Sequence, residues 1–176
     1  TQDNGTRFSN QANETFTRIN GGDGAFCAVN QQNEGIRYVS SQYLNITRQS
    51  NTGNRYISRD IRDAVGGNDG VWFINPFEIN NLDGDQIYVP TKRATYRSLD
   101  GGDSWTEFTA DLLGDTYAIG LSDSTNPIAY IGGTASRLYR VKNAGLEQPD
   151  AEESMWTLEY PSFLGSTIGC IEVDPN

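Results

Sequence analysis

The chain has 176 residues, enough for a single domain with a sizeable buried core. It carries 23 Asp and Glu against 13 Lys and Arg and no histidine, for a formal net charge of −10. That balance excludes a phosphate-backbone partner and an anionic membrane face, both of which demand a basic surface, and the missing histidine removes Ser-His-Asp triads and His/Cys zinc sites.

No apolar run approaches the roughly 20 residues needed to span a bilayer, so membrane insertion is not expected. No secretory signal is visible and the chain opens on Thr1, so we expect a protein that has been processed or cut from something longer. Cys27 and Cys170 are too few for a disulfide framework. Each sits in an apolar run, and the simplest expectation is two buried, unlinked thiols. Sequons at Asn4, Asn13 and Asn45 matter only in a eukaryotic secretory pathway, for which the composition gives no support.

In chain order, three segments align. The first runs FCAVN (26–30), IRYVS (36–40) and LNITR (44–48); the second PFEIN (76–80), QIYVP (86–90) and TYRS (95–98). The third runs AIGLS (118–122), IAYIG (128–132) and RLYRV (137–141), and a fourth opens with CIEVDPN (170–176). With Val29, Ile79, Leu121 and Val173 equivalent, the steps are 50, 42 and 52 residues. Within each unit a Tyr precedes an Arg by 10, 9 and 10 positions (Tyr38 and Arg48, Tyr88 and Arg97, Tyr130 and Arg140). Polar connectors at 31–35, 81–85 and 123–127 separate the first two strands of each unit. Four antiparallel strands recurring every 40 to 50 residues is the pattern of β-propeller blades. We therefore expect an all-β propeller segment. Blades are expected at about 23–61, 73–109 and 116–160, with partial blades at 1–20 and 167–176. Phe26, Phe77, Ile119 and Ile171 then fall on inner strands.

The second unit holds SLDGGDSW at 98–105. As chemistry this is a hairpin: its glycines permit positive φ, its Asp and Ser side chains can bond turn amides, and Trp105 supplies an apolar anchor with an indole N–H that needs a partner. The stretch resembles the Asp-box, or bacterial neuraminidase repeat, at all five defining positions: Ser98, Asp100, Gly102, Ser104 and Trp105. The resemblance implies a structural staple in a propeller of the sialidase, xyloglucanase and sortilin-like superfamily. In the first unit Gly53 and Tyr56 stand near the corresponding places, and in the third Trp156 follows a longer acidic loop at 143–154. TQDNGT (1–6), GGDG (21–24) and VDPN (173–176) resemble stretches of large secreted propellers of Bacteroidota, whose surface proteins often leave by type IX secretion. This implies an extracellular or outer-surface location, with the remaining blades of a parent chain as partners.

Candidate sites are few. Asp3, Asp23, Asp83, Asp85, Asp100 and Asp103 are oxygen ligands in kind. However, the nearest approach to a calcium loop, 81–85, has Gly84 between its two Asp residues and reads as a hairpin turn. No metal or cofactor is expected. Arg48, Arg97 and Arg140 take one repeat-equivalent place each, as structural residues do, rather than forming the cluster a sialidase needs. Asp23, flanked by Gly22 and Gly24 at the entry to an inner strand, is the best-placed carboxylate for a rim or channel ligand site. Tyr43, Trp72 and Phe73 could stack on sugars, with 72–73 expected to pack between blades. No catalytic residue can be assigned. The expected function is a non-catalytic scaffold binding protein or glycan; the alternative is a glycoside hydrolase like the xyloglucan-active Asp-box enzymes, acting through paired carboxylates.

Overall fold

The computed structural model describes residues 3–9, 15–108, 115–135, 137–147, 156–157 and 166–174. The sequon at Asn13, most of the 143–154 loop, both chain ends and the side chain of Trp156 lie outside the described residues. The chain is all-β and propeller-like. Strands β1 (Thr6–Phe8) and β2 (Thr17–Asn20) form a two-stranded sheet. Sheet I follows, with β3 (Cys27–Val29), β4 (Arg37–Ser41), β5 (Asn45–Ser50) and β6 (Gly53–Tyr56). A connector with helix α1 (Arg59–Ala64) and a 3-10 turn (Gly67–Gly70) leads to sheet II. Sheet II holds β7 (Glu78–Asn80), β8 (Asp83–Pro90), β9 (Thr95–Ser98) and β10 (Thr106–Glu107). Sheet III holds β11 (Thr116–Leu121), β12 (Ala129–Gly133), β13 (Arg137–Val141) and β14 (Trp156–Thr157). Every pairing is antiparallel and joins neighbours in the chain.

The repeat seen in the sequence is a repeat of register. Tyr38 lies opposite Arg48, Tyr88 opposite Arg97, and Tyr130 opposite Arg140, each pair across the second and third strands of its own sheet. Alternation along β8 explains how the sheets stack, because neighbouring side chains point to opposite faces. Ile87 and Val89 join Tyr38, Leu44, Ile46, Ile57, Ile61 and Phe77 in the core between sheets I and II. Tyr88 joins Ile119, Ile131, Tyr139 and Val141 in the core between sheets II and III. The tyrosines are also ties. The Tyr38 hydroxyl donates to the Gly84 carbonyl at 3.1 Å, carrying sheet I to sheet II. Gln86 Nε2 donates to the Thr125 carbonyl at 2.8 Å, and Asn80 Nδ2 to that of Ser124 at 2.8 Å, carrying sheet II to sheet III.

Several expectations need correcting. Cys27 and Cys170 are unlinked as expected, but both are exposed rather than buried. Residues 166–174 form no strand. They lie across sheet III, where the absent side chains of two glycines leave room: a Cβ at Gly120 would come within 2.8 Å of Ile171 Cγ2, and one at Gly132 within 2.6 Å of Ile168 Cγ2. Phe77 and Ile119 are buried, whereas Phe26 is 44% exposed. The turn between β7 and β8 falls at 81–82, ahead of Gly84, with Leu82 N–H bonded to Asn80 Oδ1 at 2.9 Å. Gly84 is needed for close approach instead, since a Cβ there would come within 2.2 Å of the Asn30 side chain. Register also moves two aromatics. Tyr56 pairs with Thr47 as Glu107 pairs with Tyr96, and Trp156 pairs with Leu138, two residues before Arg140. Trp156 therefore takes the place of Phe108, whose N–H reaches the Thr95 carbonyl at 2.8 Å, and not that of Trp105.

Candidate binding site

In an up-and-down sheet, successive turns lie at alternate ends. The 98–105 hairpin joins third and fourth strands, so it sits at one end of the stack. The turn between β4 and β5, and the connections that enter and leave sheet I, sit at the other.

At the first end, the side chains of the hairpin are engaged with one another, while Asp85 Oδ1 and Arg48 Nε beside Gly101 are buried without a partner among the described residues. Asp100 Oδ1 accepts from the amides of Asp103 and Ser104, both at 2.9 Å, and from Ser98 Oγ at 2.7 Å; Oδ2 accepts from Ser104 Oγ at 2.6 Å. Ser98 Oγ accepts from the Gly102 amide at 2.8 Å. Burial pushes the Asp100 carboxyl up, but the hydroxyl and amide of Ser104 and the hydroxyl of Ser98 outweigh it and hold the group below the ordinary carboxylate range. Gly101 and Gly102 have φ of 69° and 87°. A Cβ on Gly102 would come within 2.5 Å of Ile57 Cδ1. Trp105 is half-buried against the core between sheets I and II, and its indole donates to the Ile57 carbonyl at 2.7 Å. Arg55 pairs with Asp103 across the same seam. Ser98, Asp100, Gly102, Ser104 and Trp105 thus act together as a clasp between two sheets.

The three repeat-equivalent arginines do not converge. Arg97 is 4% exposed and its guanidinium donates to the carbonyls of Ala144, Leu146 and Glu147, fastening sheet II to the end of β13; burial lowers its pKa. Among the described residues no group of three or more acidic or cysteine side chains is placed to hold a metal ion. Glu78, on the innermost strand of sheet II, is an acidic group the sequence did not single out. Burial pushes its carboxyl up, and it lies beside Tyr88 across the ladder.

The second end is different. Asn20, Gly21, Gly22, Ser41, Gln42, Tyr43, Asn45, Arg62 and Asn68 line an open cleft of about 390 Å³, contributed by three separate connections. That volume falls in the usual range of small-molecule sites, roughly 300–1,000 Å³. The turn that forms its floor is unusual: Tyr43 and Leu44 both have φ of 57°, with no glycine in the loop. Side chains in this left-handed region cost on the order of 1–3 kcal/mol each and persist only when the surroundings enforce them. Leu44 is fully buried, and its carbonyl accepts from Ser58 Oγ, which is itself buried and accepts from the Ile46 amide at 3.0 Å. With Leu44 pinned inward, Tyr43 is held outward, 37% exposed, with its N–H on the Phe73 carbonyl at 2.9 Å. Its ring meets that of Phe73 edge to face at 5.3 Å, and Phe73 and Ile74 are 48% and 41% exposed.

Of the three aromatics flagged by sequence, Tyr43 lines the cleft and Phe73 packs against its ring. Trp72 does pack between sheets, stacked on Tyr117 at 4.0 Å with its indole donating to the Thr116 carbonyl. Gly22 lines the cleft, and a Cβ there would come within 2.5 Å of Gln42 Oε1. Asp23 does not line it. Its carboxylate is buried and accepts from the Asp3 amide at 2.7 Å, while its own amide donates to Gln42 Oε1 at 2.9 Å. Gly24 follows as part of the lead into β3. Sequence reasoning missed Arg62, Asn68 and the helix that carries Arg62.

No protein-family model matches the chain, and no curated protein matches it significantly.

Proposed function

We propose that this chain is part of a non-catalytic Asp-box propeller, exported to the cell surface or beyond, that binds glycan or protein through the face carrying the 41–45 turn. The observation that carries this reading is the cleft, lined by neutral polar side chains, the exposed ring of Tyr43 and a single arginine, Arg62, with no acidic lining residue. Aromatic rings with a few placed polar groups are the usual make-up of recognition sites. The acidic chain and the phrases at 1–6, 21–24 and 173–176 support an exported scaffold of the type IX class in Bacteroidota.

The hydrolase reading keeps one specific support. A general acid needs a raised carboxyl pKa, and burial gives Glu78 that direction. The two readings separate by assay. The protein is presented with immobilised neutral and acidic oligosaccharides, and the same sugars, with xyloglucan, are tested for release of reducing ends. Retention without cleavage is expected. Cleavage lost in Glu78→Gln would establish the hydrolase instead.

A further inference from the structure

Several amides of this molecule are structural. Asn30 accepts from the amides of Gln32 and Asn33, Asn75 donates to the carbonyls of Pro76 and Pro90, and Asn80 and Gln86 join sheet II to sheet III. All of these hold the fold together. The cleft side chains keep uncommitted groups, as do exposed amides elsewhere such as those of Asn51 and Asn54. Gln42 and Asn68 each use their carbonyl oxygen, accepting from the Asp23 amide and from Arg62 respectively, which leaves both NH2 groups without a partner among the described residues. Asn45, Ser41 and the Tyr43 hydroxyl are likewise without side-chain partners there, and Asn20 Nδ2 is a buried donor with none. Buried polar groups are normally satisfied, so two buried donors without a partner in one cleft, Asn20 Nδ2 and Arg62 Nε, beside solvent-facing amides and hydroxyls, mark a place where something else supplies partners.

Resting on the binding reading above, we infer that this cleft takes an uncharged saccharide segment. Amides and hydroxyls both donate and accept, which matches the paired character of sugar hydroxyls. The exposed rings of Tyr43 and Phe73 offer the apolar surface on which the C–H face of a pyranose lies. Charge argues against the alternatives. Arg62 is the sole charged lining residue; its Nη1 and Nη2 donate to Tyr56 Oη at 3.1 Å and Asn68 Oδ1 at 2.7 Å, and its Nε is buried. It offers no bidentate grip on a sugar carboxylate, and the net charge of −10 repels acidic polymers. The cleft has no carboxylate to hold a basic peptide. The strained turn gains a purpose as well: it fixes the ring of Tyr43 before the ligand arrives, which lowers the ordering cost of binding.

The test is titration of the isotope-labelled protein with cellopentaose, mannopentaose and xylopentaose, beside sialyllactose, trigalacturonate, and one acidic and one basic decapeptide. Amide shifts are mapped at millimolar ligand. At least one neutral sugar is expected to shift residues 20–22, 41–45, 62 and 68. Tyr43→Asn, which suits the left-handed turn but removes the ring, is expected to weaken it about tenfold. Asn51→Ala, at the opposite end, is expected to leave it unchanged. Acidic sugars or a decapeptide alone shifting these residues would overturn the neutral-saccharide inference while sparing the binding reading. No shift in this cleft with any probe would overturn both.

Discussion

The hairpin at 98–105 and the turn at 41–45 are both short connections in neighbouring sheets, yet their residues do opposite things. In the first, positive φ falls on glycines, every defining side chain is bonded within the motif or to sheet I, and the tryptophan is turned into the seam. In the second, positive φ falls on Tyr43 and Leu44, the surrounding amides keep partnerless NH2 groups, and the aromatic ring is turned out. On the reading proposed above, the contrast separates a structural hairpin from a recognition turn.

The contrast can be broken from either side. The largest effect is expected from Trp105→Ala, which removes a half-buried ring and an indole hydrogen bond. It should cost about 2–4 kcal/mol in denaturant melts while leaving sugar affinity alone. Gly102→Ala comes next, at about 1–3 kcal/mol, because the methyl group meets Ile57 and φ is 87°. Ser104→Ala should cost about 0.5–1.5 kcal/mol by removing the hydroxyl bond to Asp100. If any of these weakened binding as much as stability, the two ends would not be separable. From the other side, Tyr43→Asn should shift stability by no more than about 0.5 kcal/mol, because the relief of a left-handed turn that Asn tolerates offsets the lost edge contact with Phe73.

The structural end was legible because its instructions are contiguous. Ser98, Asp100, Gly102, Ser104 and Trp105 spell one hairpin in eight residues. Similarly, the Tyr-to-Arg spacing carried the register of all three sheets. The cleft was not legible, because its lining comes from residues 20–22, 41–45 and 62–68, which only the meander brings together. Its tight turn lacks the glycine that would announce positive φ. Its short helix was overlooked because six residues carry little apolar period. Tyr43 and Phe73 were visible as candidates, but their exposure was not. Ile171 failed for a different reason: an apolar run can lie on a sheet of small residues as readily as pair with it.

The smallest expected effect concerns acid. Because the folded pKa of Asp100 lies below its unfolded value, its contribution is present above the ordinary carboxylate range and is lost as pH falls through the depressed value. Asp100 is exposed, so the loss is small. The acid limb of the stability curve should flatten slightly in Ser104→Ala, which removes one of the bonds that lowers that pKa.

One paired measurement tests the division directly: affinity for the neutral oligosaccharide that binds, and melting temperature, each recorded for Tyr43→Asn and Trp105→Phe. The account predicts that Tyr43→Asn loses about tenfold in affinity at an unchanged melting temperature. It predicts that Trp105→Phe, which lacks the indole bond to Ile57, melts lower and binds as the parent does. Affinity lost in Trp105→Phe and retained in Tyr43→Asn would place recognition at the other end of the stack and contradict it.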